Sequence, residues 1–592
     1  MASLPIATTT ILHSSNSSPS SSFVPRTPQV SINRKSPSRL HVSCNAGKDD
    51  NQPSSSPGKF DRRNVLIGLG GLYGAASLAN PFAFAAPING PDIYKCGPAD
   101  LPAGADGVNC CPPTVAKIID FELPPPPAVM RVRPAAHLAD KAYVEKFTRA
   151  VDLMKALPAD DPRSFMQQAN VHCAYCDGAY DQLGFPDLEL QVHNSWLFMP
   201  FHRYYLYFFE KILGKLIGDP TFAMPFWNWD HPAGMKIPAI YTNRSSPLYD
   251  PLRDAKHQPP NIIDLDFNGT DSNLSNQQQL SQNLTIMYRQ TVSLGRTAST
   301  FLGSPYRAGD EPDPGMGSLE IAPHGPVHMW TGDRTQPNIE NMGSFYSAAR
   351  DPLFFGHHSN IDRIWNIWKT IGGRRQDFTD PDWLEASLLF YDENAQLVRV
   401  KVRDCLDTRK LGYVYQDVAT PWLNSRPTPR FPGILRKAKK LVEAKAADAA
   451  PAPEDVFPAT LDKAVRVMVR RPTRKRSKKQ KEEIEEILVI EGIELDRDVF
   501  AKFDVLINDE HDEAEITAQN TEFAGSFVNV PHRRHHNKQG KIMKIKTKLR
   551  LAITEMLEDL DSEDDEHLLV TLVPRKGSGA VKIGGVKIVL ED

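Results

Sequence analysis

Six histidines in the most apolar segments of the chain constrain its fold more than any other feature. His172, His193, His202, His324, His328 and His358 fall in or beside stretches whose apolar positions recur at three- and four-residue spacing, the period of a helix with a core face. One such histidine is ordinarily a satisfied core residue. Six are difficult to satisfy with hydrogen bonds alone, and a metal that takes neutral imidazole nitrogens is the simplest common partner. Chain order suggests two trios, His172 with His193 and His202, and His324 with His328 and His358. His324 and His328 are four apart and so share one helix face, while each trio also draws a member from a different element, as a site in a helix-bundle core requires.

All-imidazole ligation without carboxylates argues against calcium, magnesium and di-iron carboxylate sites. It suits copper or zinc, with copper favoured by the affinity order. The HGPVH spacing at His324 also lacks the glutamate of the zinc-protease pattern HExxH. In DPLFFGHHSNIDRIW, Asp351–Trp365, two histidines stand side by side. Successive helical positions point roughly 100° apart, so His357 and His358 hardly serve one ion together.

At 592 residues the chain exceeds what one core holds, and at least two domains are expected. The net charge of −3 gives no reason for a nucleic-acid partner, and the 24% charged content argues against global disorder. Residues 1–60 are rich in Ser and Thr and carry Arg26, Arg34, Lys35 and Arg39 before any acidic residue, the composition of a chloroplast transit peptide. Residues 61–85 hold Arg62-Arg63, the apolar run NVLIGLGGLYGAASLA and the small-residue site Ala83-Phe84-Ala85, which read as a twin-arginine signal. Together they predict passage through the thylakoid import machinery into the lumen, with a mature chain that begins near Ala86. The apolar run is too short and too Gly-rich for a stable membrane span. A secreted protein is the alternative, and the sequons at Asn243, Asn268, Asn273 and Asn283 would suit it.

The mature chain divides by period. Residues 86–431 open with a Pro-rich, loop-like stretch that holds Cys96, Cys110 and Cys111, then turn helical; Trp196–Gly218 reads as a core helix with a glycine stop. A polar loop over roughly 231–290 is expected on the surface. Residues 432–461, rich in Lys, Ala, Pro and Glu, read as an exposed linker open to a processing protease. From 462 to 592 the period becomes two, which predicts a β-sandwich-like domain. The basic run RRPTRKRSKKQK from Arg470 reads as a solvated loop, with acidic runs nearby to neutralise it.

HCAYC at His172, HNSWLFMPFHRYYLYFFE from His193, HGPVHMW from His324 and DPLFFGHHSNIDRIW from Asp351 resemble, in order and spacing, the copper A and copper B regions of plant polyphenol oxidases, or catechol oxidases. DPDWL at Asp380, GYVYQD at Gly412 and AKFDV at Ala501 extend the resemblance over essentially the whole mature chain. It implies a multidomain protein: a mainly α catalytic domain with a four-helix-bundle dicopper core, and a C-terminal β domain that caps the site and keeps the precursor latent. His172, His193 and His202 would hold one copper ion, and His324, His328 and His358 the other. The implied activity is oxidation of o-diphenols to o-quinones with reduction of dioxygen to water, with weak monophenol hydroxylation as a further possibility.

The resemblance also implies a thioether between Cys176 and His193 and two disulfides, Cys96 with Cys111 and Cys110 with Cys173. Cys405 would remain free. Glu320 matches a position that orients a water able to accept a phenolic proton, though a carboxylate facing a helix start is an equal reading. Phe345 matches an aromatic gate over one copper. Gly325 stands where some members acting on monophenols carry Asn, which favours diphenols. Asp362 is open between supporting the metal ligands and pairing with Arg363 or Lys369 on the helix surface. A haemocyanin-like dioxygen carrier and a structural zinc protein are the alternatives from other classes.

Overall fold

A computed structural model describes residues 86–102, 104–105, 108–114, 117–430, 450–509, 516–531 and 544–592. The expected transit peptide and twin-arginine signal, and the first part of the expected linker, lie outside the described residues. Asp140 opens α1 (Lys141–Lys155) by accepting the Tyr143 N–H at 2.8 Å, and Phe147, Ala150, Val151 and Met154 bury one face of it. Ser164 caps α2 (Phe165–Cys176) in the same way. The most apolar stretch forms α3 (Phe198–Leu216), buried on nearly every side, and the chain leaves it through Gly218 at φ 67°, where a side chain would be strained. α4 (Gly325–Thr331) follows a wide turn, Glu320–His324, that carries a proline. A further long helix, α5 (Leu353–Thr370), begins where Asp351 Oδ1 accepts the Leu353 N–H at 2.8 Å, and ends before Gly372 and Gly373, both at positive φ.

A buried charge cluster fixes α3 against α5. Asp362 on α5 accepts Arg203 Nε of α3 at 2.5 Å, lies 3.4 Å from Arg133 Nη1, and accepts the hydroxyls of Tyr413 at 2.7 Å and of Tyr415. Glu210 on α3 takes Arg131 Nε at 2.9 Å, Arg133 Nε at 2.8 Å and the Met224 N–H at 3.0 Å. The arginines also lie over rings, Arg203 at 3.6 Å from the Trp365 centroid and Arg133 at 3.8 Å from that of Tyr413. Burial alone would raise the Asp362 carboxyl, but Arg203 and Arg133 hold it below its usual value. Neither surface partner considered from the sequence is used: Arg363 binds Asp230 at 3.0 Å and Lys369 binds Asp377 at 2.9 Å. The Tyr-x-Tyr strand, Tyr413–Tyr415, thus runs parallel to Arg131–Arg133 to deliver two hydroxyls to one carboxylate.

Within the expected linker, Pro453–Val456 forms a short helix that lies against the C-terminal strands. The strands are β1 (Ala459–Thr460), β2 (Val465–Arg470), β3 (Glu485–Asp496), β4 (Ala501–Ile507), β5 (Phe523–Asn529), β6 (Lys544–Ala552), β7 (His567–Pro574), β8 (Lys582–Ile583) and β9 (Gly585–Glu591). They form two sheets with antiparallel pairing, one in the order β6-β3-β8-β1 with β9 also on β3, the other β5-β4-β7-β2. Alternate residues of both sheets, among them Val467, Leu488, Phe503, Phe527 and Leu549, meet in one apolar cluster. In the basic run, Arg471 and Arg476 are buried and both reach Glu486, while Arg474 and Lys475 face Glu566 and Asp564.

This C-terminal part binds the helical part through buried polar contacts. Lys502 Nζ lies 2.7 Å from Asp266 Oδ1, Arg289 Nε donates to the Ala518 carbonyl at 2.6 Å, and Tyr288 donates to Glu555 at 3.0 Å. Among the sequons, Asn243 and Asn273 are exposed, but Asn283 is fully buried and donates to the Ile263 carbonyl, so its amide serves the core. Among the described residues no helix is long and apolar enough to cross a membrane. Asp362→Ala leaves Arg203 and Arg133 buried without their counter-ion and is expected to cost the helical part about 3–5 kcal/mol, read by urea unfolding followed by tryptophan fluorescence. A loss below about 1 kcal/mol would place it with exposed pairs.

Candidate metal centre

All six histidines singled out above are buried and converge between four helices. His172 comes from α2, His202 from α3, His328 from α4 and His358 from α5; His193 comes from the loop before α3, and His324 from the turn that leads into α4. Ring centroids within the first trio lie 5.2, 5.2 and 5.8 Å apart. In the second they lie 4.7, 5.1 and 5.4 Å apart. The trios face each other, with His202 and His358 stacked at 4.0 Å and His193 5.9 Å from His324.

Backbone carbonyls select the tautomers. Nδ1 of His172 lies 2.8 Å from the Phe345 carbonyl, that of His202 2.8 Å from Phe198, that of His324 3.2 Å from Glu320, and that of His328 2.7 Å from Met342. A carbonyl only accepts, so each Nδ1 carries the proton and each Nε2 presents its lone pair inward. Nε2 of His172, His202 and His324 is buried without a hydrogen-bond partner among the described residues, and Nε2 of His328 and His358 stand 3.2 Å apart. Burial pushes His172 down to about 3 and His328 to about 4, and holds His202, His324 and His358 well below the usual value. These five rings are therefore neutral, the form that binds a metal.

His357 differs from its neighbour for a chemical reason. One of its ring nitrogens lies within 4.8 Å of a ring nitrogen of each of His324, His328 and His358, close enough to share an ion by distance. The Trp229 indole N–H, which can only donate, reaches His357 Nδ1 at 3.1 Å. That nitrogen must accept, so in the neutral ring Nε2 carries the proton and has no lone pair to offer. Trp229 was not singled out in the sequence, and nothing in its local pattern connects it with a histidine 128 residues away.

The other candidates lie around the rings. Cys176 is an unpaired, buried thiol whose sulfur lies within 4.8 Å of ring nitrogens of His172 and His193. Cys96 is bonded to Cys111 and Cys110 to Cys173, which ties the Pro-rich N-terminal segment to α2. Cys405 is unpaired and buried. The Phe345 ring stacks on His193 at 4.5 Å and meets His172 edge-on at 5.8 Å. Glu320 opens the turn one residue before Ile321, its Oε1 accepting the Asn194 N–H at 2.6 Å while Oε2 has no hydrogen-bond partner among the described residues. Burial raises its carboxyl well above the usual range.

The C-terminal part covers this turn. A Cβ placed on Gly325 would stand 3.4 Å from both Val528 Cγ1 of β5 and Val530 Cγ2 just beyond it. Ile321 and Ala322 belong to the same apolar cluster as the inward residues of β3, β4 and β5. Val528 and Val530 carry no sequence signal beyond ordinary strand alternation, so their place beside His324 was not legible from the chain.

Comparisons with known proteins agree with this geometry. The common central domain of tyrosinase matches residues 162–371, the polyphenol oxidase middle domain 377–428, and the chloroplastic polyphenol oxidase C-terminal domain 457–590. The chloroplastic polyphenol oxidase of Malus domestica is 60% identical over 99% of this chain and 98% of that protein, and the aureusidin synthase of Antirrhinum majus is 56% identical over 93% and 99%. The structure of latent apple tyrosinase covers 80% of this chain and all of that one, at 61% identity and a TM-score of 0.74. Paired with an ordered set of buried, neutral imidazoles, these likenesses show that the chain belongs to the plant polyphenol oxidases, a family of oxidoreductases related to tyrosinase.

Proposed function

We propose that the chain oxidises catechols to o-quinones at a pair of copper ions and is made latent, with its own C-terminal part as the cap. The observation that carries this reading is the convergence of six buried imidazoles, four of which, His172, His202, His324 and His328, have Nε2 freed for a metal by a carbonyl at Nδ1. His172, His193 and His202 would hold one ion and His324, His328 and His358 the other, in the core of a four-helix bundle formed by α2, α3, α4 and α5. Bound there, the two ions would bind dioxygen and accept one electron each, matching the two electrons that a catechol gives up. Per dioxygen, two catechols become two o-quinones and two waters form.

The chain's own residues prepare the substrate. Phe345, stacked on His193 at the site, offers an aromatic face that orients a phenol ring, and the apolar walls exclude water from the reacting oxygens. Glu320 holds a water that accepts a phenolic proton, and its engagement through Oε1 leaves Oε2 for that water. A thioether between Cys176 and His193 would fix the one ligand that comes from a loop; the proximity of the thiol to the ring supports it. The β-sandwich formed by the two C-terminal sheets closes the entrance through Val528 and Val530. Release then follows cleavage by a processing protease within the expected linker, residues 432–461. The Malus relative is named chloroplastic, and the twin-arginine pattern at Arg62-Arg63 supports the thylakoid lumen as the destination. Nothing in the comparisons supports the dioxygen-carrier alternative.

Metal analysis of the purified chain is expected to give two copper ions, His324→Ala about one, and His357→Gln still two; a loss of copper in His357→Gln equal to that in His324→Ala would refute the ligand assignment. Cutting the linker is expected to raise oxygen uptake with catechol about tenfold or more, and an uncut chain as active as the cut one would refute latency. Gly325→Asn overpacks the contact with Val528 and Val530, at about 1–3 kcal/mol. It is expected to raise the activity of the uncut chain while leaving the cut enzyme's catechol rate less affected.

A further inference from the structure

Two loops beside the site each hold a non-glycine residue in the left-handed region, Asn194 at φ 57° and Asp313 at φ 64°. L-residues seldom adopt this conformation unless neighbours hold them there. Here they hold each other: Asn194 Nδ2 donates to Asp313 Oδ1 at 2.8 Å, and the Gly315 N–H donates to the Asn194 carbonyl at 2.8 Å. The conformation has a visible result. It turns the Asn194 N–H onto Glu320 Oε1 at 2.6 Å.

The chain of contacts continues in the other direction, into the C-terminal part. Arg497, at the turn after β3, has Nη2 3.7 Å from Asp313 Oδ2 and Nη1 2.5 Å from Glu189 Oε2. All five side chains are buried, Arg497 being 3% exposed and Asp313 2%. Arg497 is the counter-ion that the C-terminal part supplies to two buried carboxylates of the helical part. A buried acid of this kind needs such a partner to remain ionised and fixed in place.

We propose that Asn194 and Asp313 are positioning residues for Glu320, and that Arg497 holds Asp313 from the C-terminal side. The cap and the proton acceptor then belong to one polar chain, Arg497–Asp313–Asn194–Glu320. The proposal rests on the role given to Glu320 above. Its physical content is narrower: without the Asp313 acceptor Asn194 relaxes toward commoner backbone angles, its N–H turns away, and Glu320 is no longer aimed. In the cut and separated enzyme Arg497 is gone, so Asp313 is held by Asn194 and water, and Glu320 is less firmly set than under the cap.

The test uses the copper-loaded full chain, with hydrogen exchange at the Asn194 amide read by mass spectrometry and residual catechol turnover read as kcat and KM. Asp313→Ala is expected to speed exchange at Asn194 about tenfold, the loss of roughly one buried hydrogen bond. It is expected to lower kcat about tenfold with KM unchanged. Asp313→Asn keeps the acceptor and is expected to restore both to within about twofold. Arg497→Met is expected to speed exchange at Asn194 while exchange along α3 stays as in the parent chain; it decides the matter alone if Asp313→Ala fails to fold.

Unchanged exchange at Asn194 in both variants would overturn the proposal. So would loss of protection across all of α3, which would make Asp313 merely structural. A parent chain inactive toward catechol would remove the oxidase reading instead, and the exchange arm would still decide whether Asp313 and Arg497 fix the Asn194 amide.

Discussion

Nδ1 atoms of His172, His202, His324 and His328 each rest on a backbone carbonyl, and the site depends on these bonds because they both orient the rings and choose the tautomer. A neutral imidazole has one proton and one lone pair, so a bond made at one nitrogen decides what the other can do. The carbonyls of Phe198 and Glu320 come from the turn just before their histidine, which couples ring orientation to the helix itself. Those of Phe345 and Met342 come from a segment that lies between α4 and α5. That one short stretch serves a histidine of each trio, so a shift in it would disturb both.

Holding the helices at the right separation is the work of a different set of charges. Asp362 and Glu210 sit on α5 and α3, and both are reached by Arg133, an arginine from outside the helices. Three guanidinium groups, two carboxylates and two phenols pair with one another in a largely buried region. Such a cluster gives less net stability than its short distances suggest, because desolvation offsets most of the attraction. What it contributes is geometry: each group has one arrangement in which all its partners are met, and that arrangement sets how α3 lies against α5.

Much of this was readable in the chain. Apolar periodicity located α3 and α5 within a residue or two, since the glycines at 218, 372 and 373 and the Asp-Pro at 351 mark ends by local chemistry. The six histidines stood out because a metal-binding type in an apolar helix contradicts its surroundings. The strands after 462 were legible for the same local reason, alternation with period two. What could not be read was long-range partnership. That Asp362 meets Arg203 rather than Arg363, that Trp229 decides the tautomer of His357, and that Val528 lies beside Gly325 are facts of tertiary packing between segments tens to hundreds of residues apart. Composition alone does not show whether a Pro- and Ala-rich stretch folds, and Pro453–Val456, inside the expected linker, forms a short helix against a sheet.

The contacts made by Lys502, Arg289 and Arg497 with the helical part have a consequence for what proteolysis can do. A cut between 430 and 450 breaks none of them. While the chain is whole, the C-terminal part is a tethered ligand whose effective concentration at the site is on the order of millimolar, whatever the concentration of the protein. After the cut it is an ordinary ligand at the concentration of the protein itself. On the proposed latency, uncovering the histidines would be governed by dilution as much as by the protease, and a crowded compartment would keep cut molecules closed that a dilute one would open.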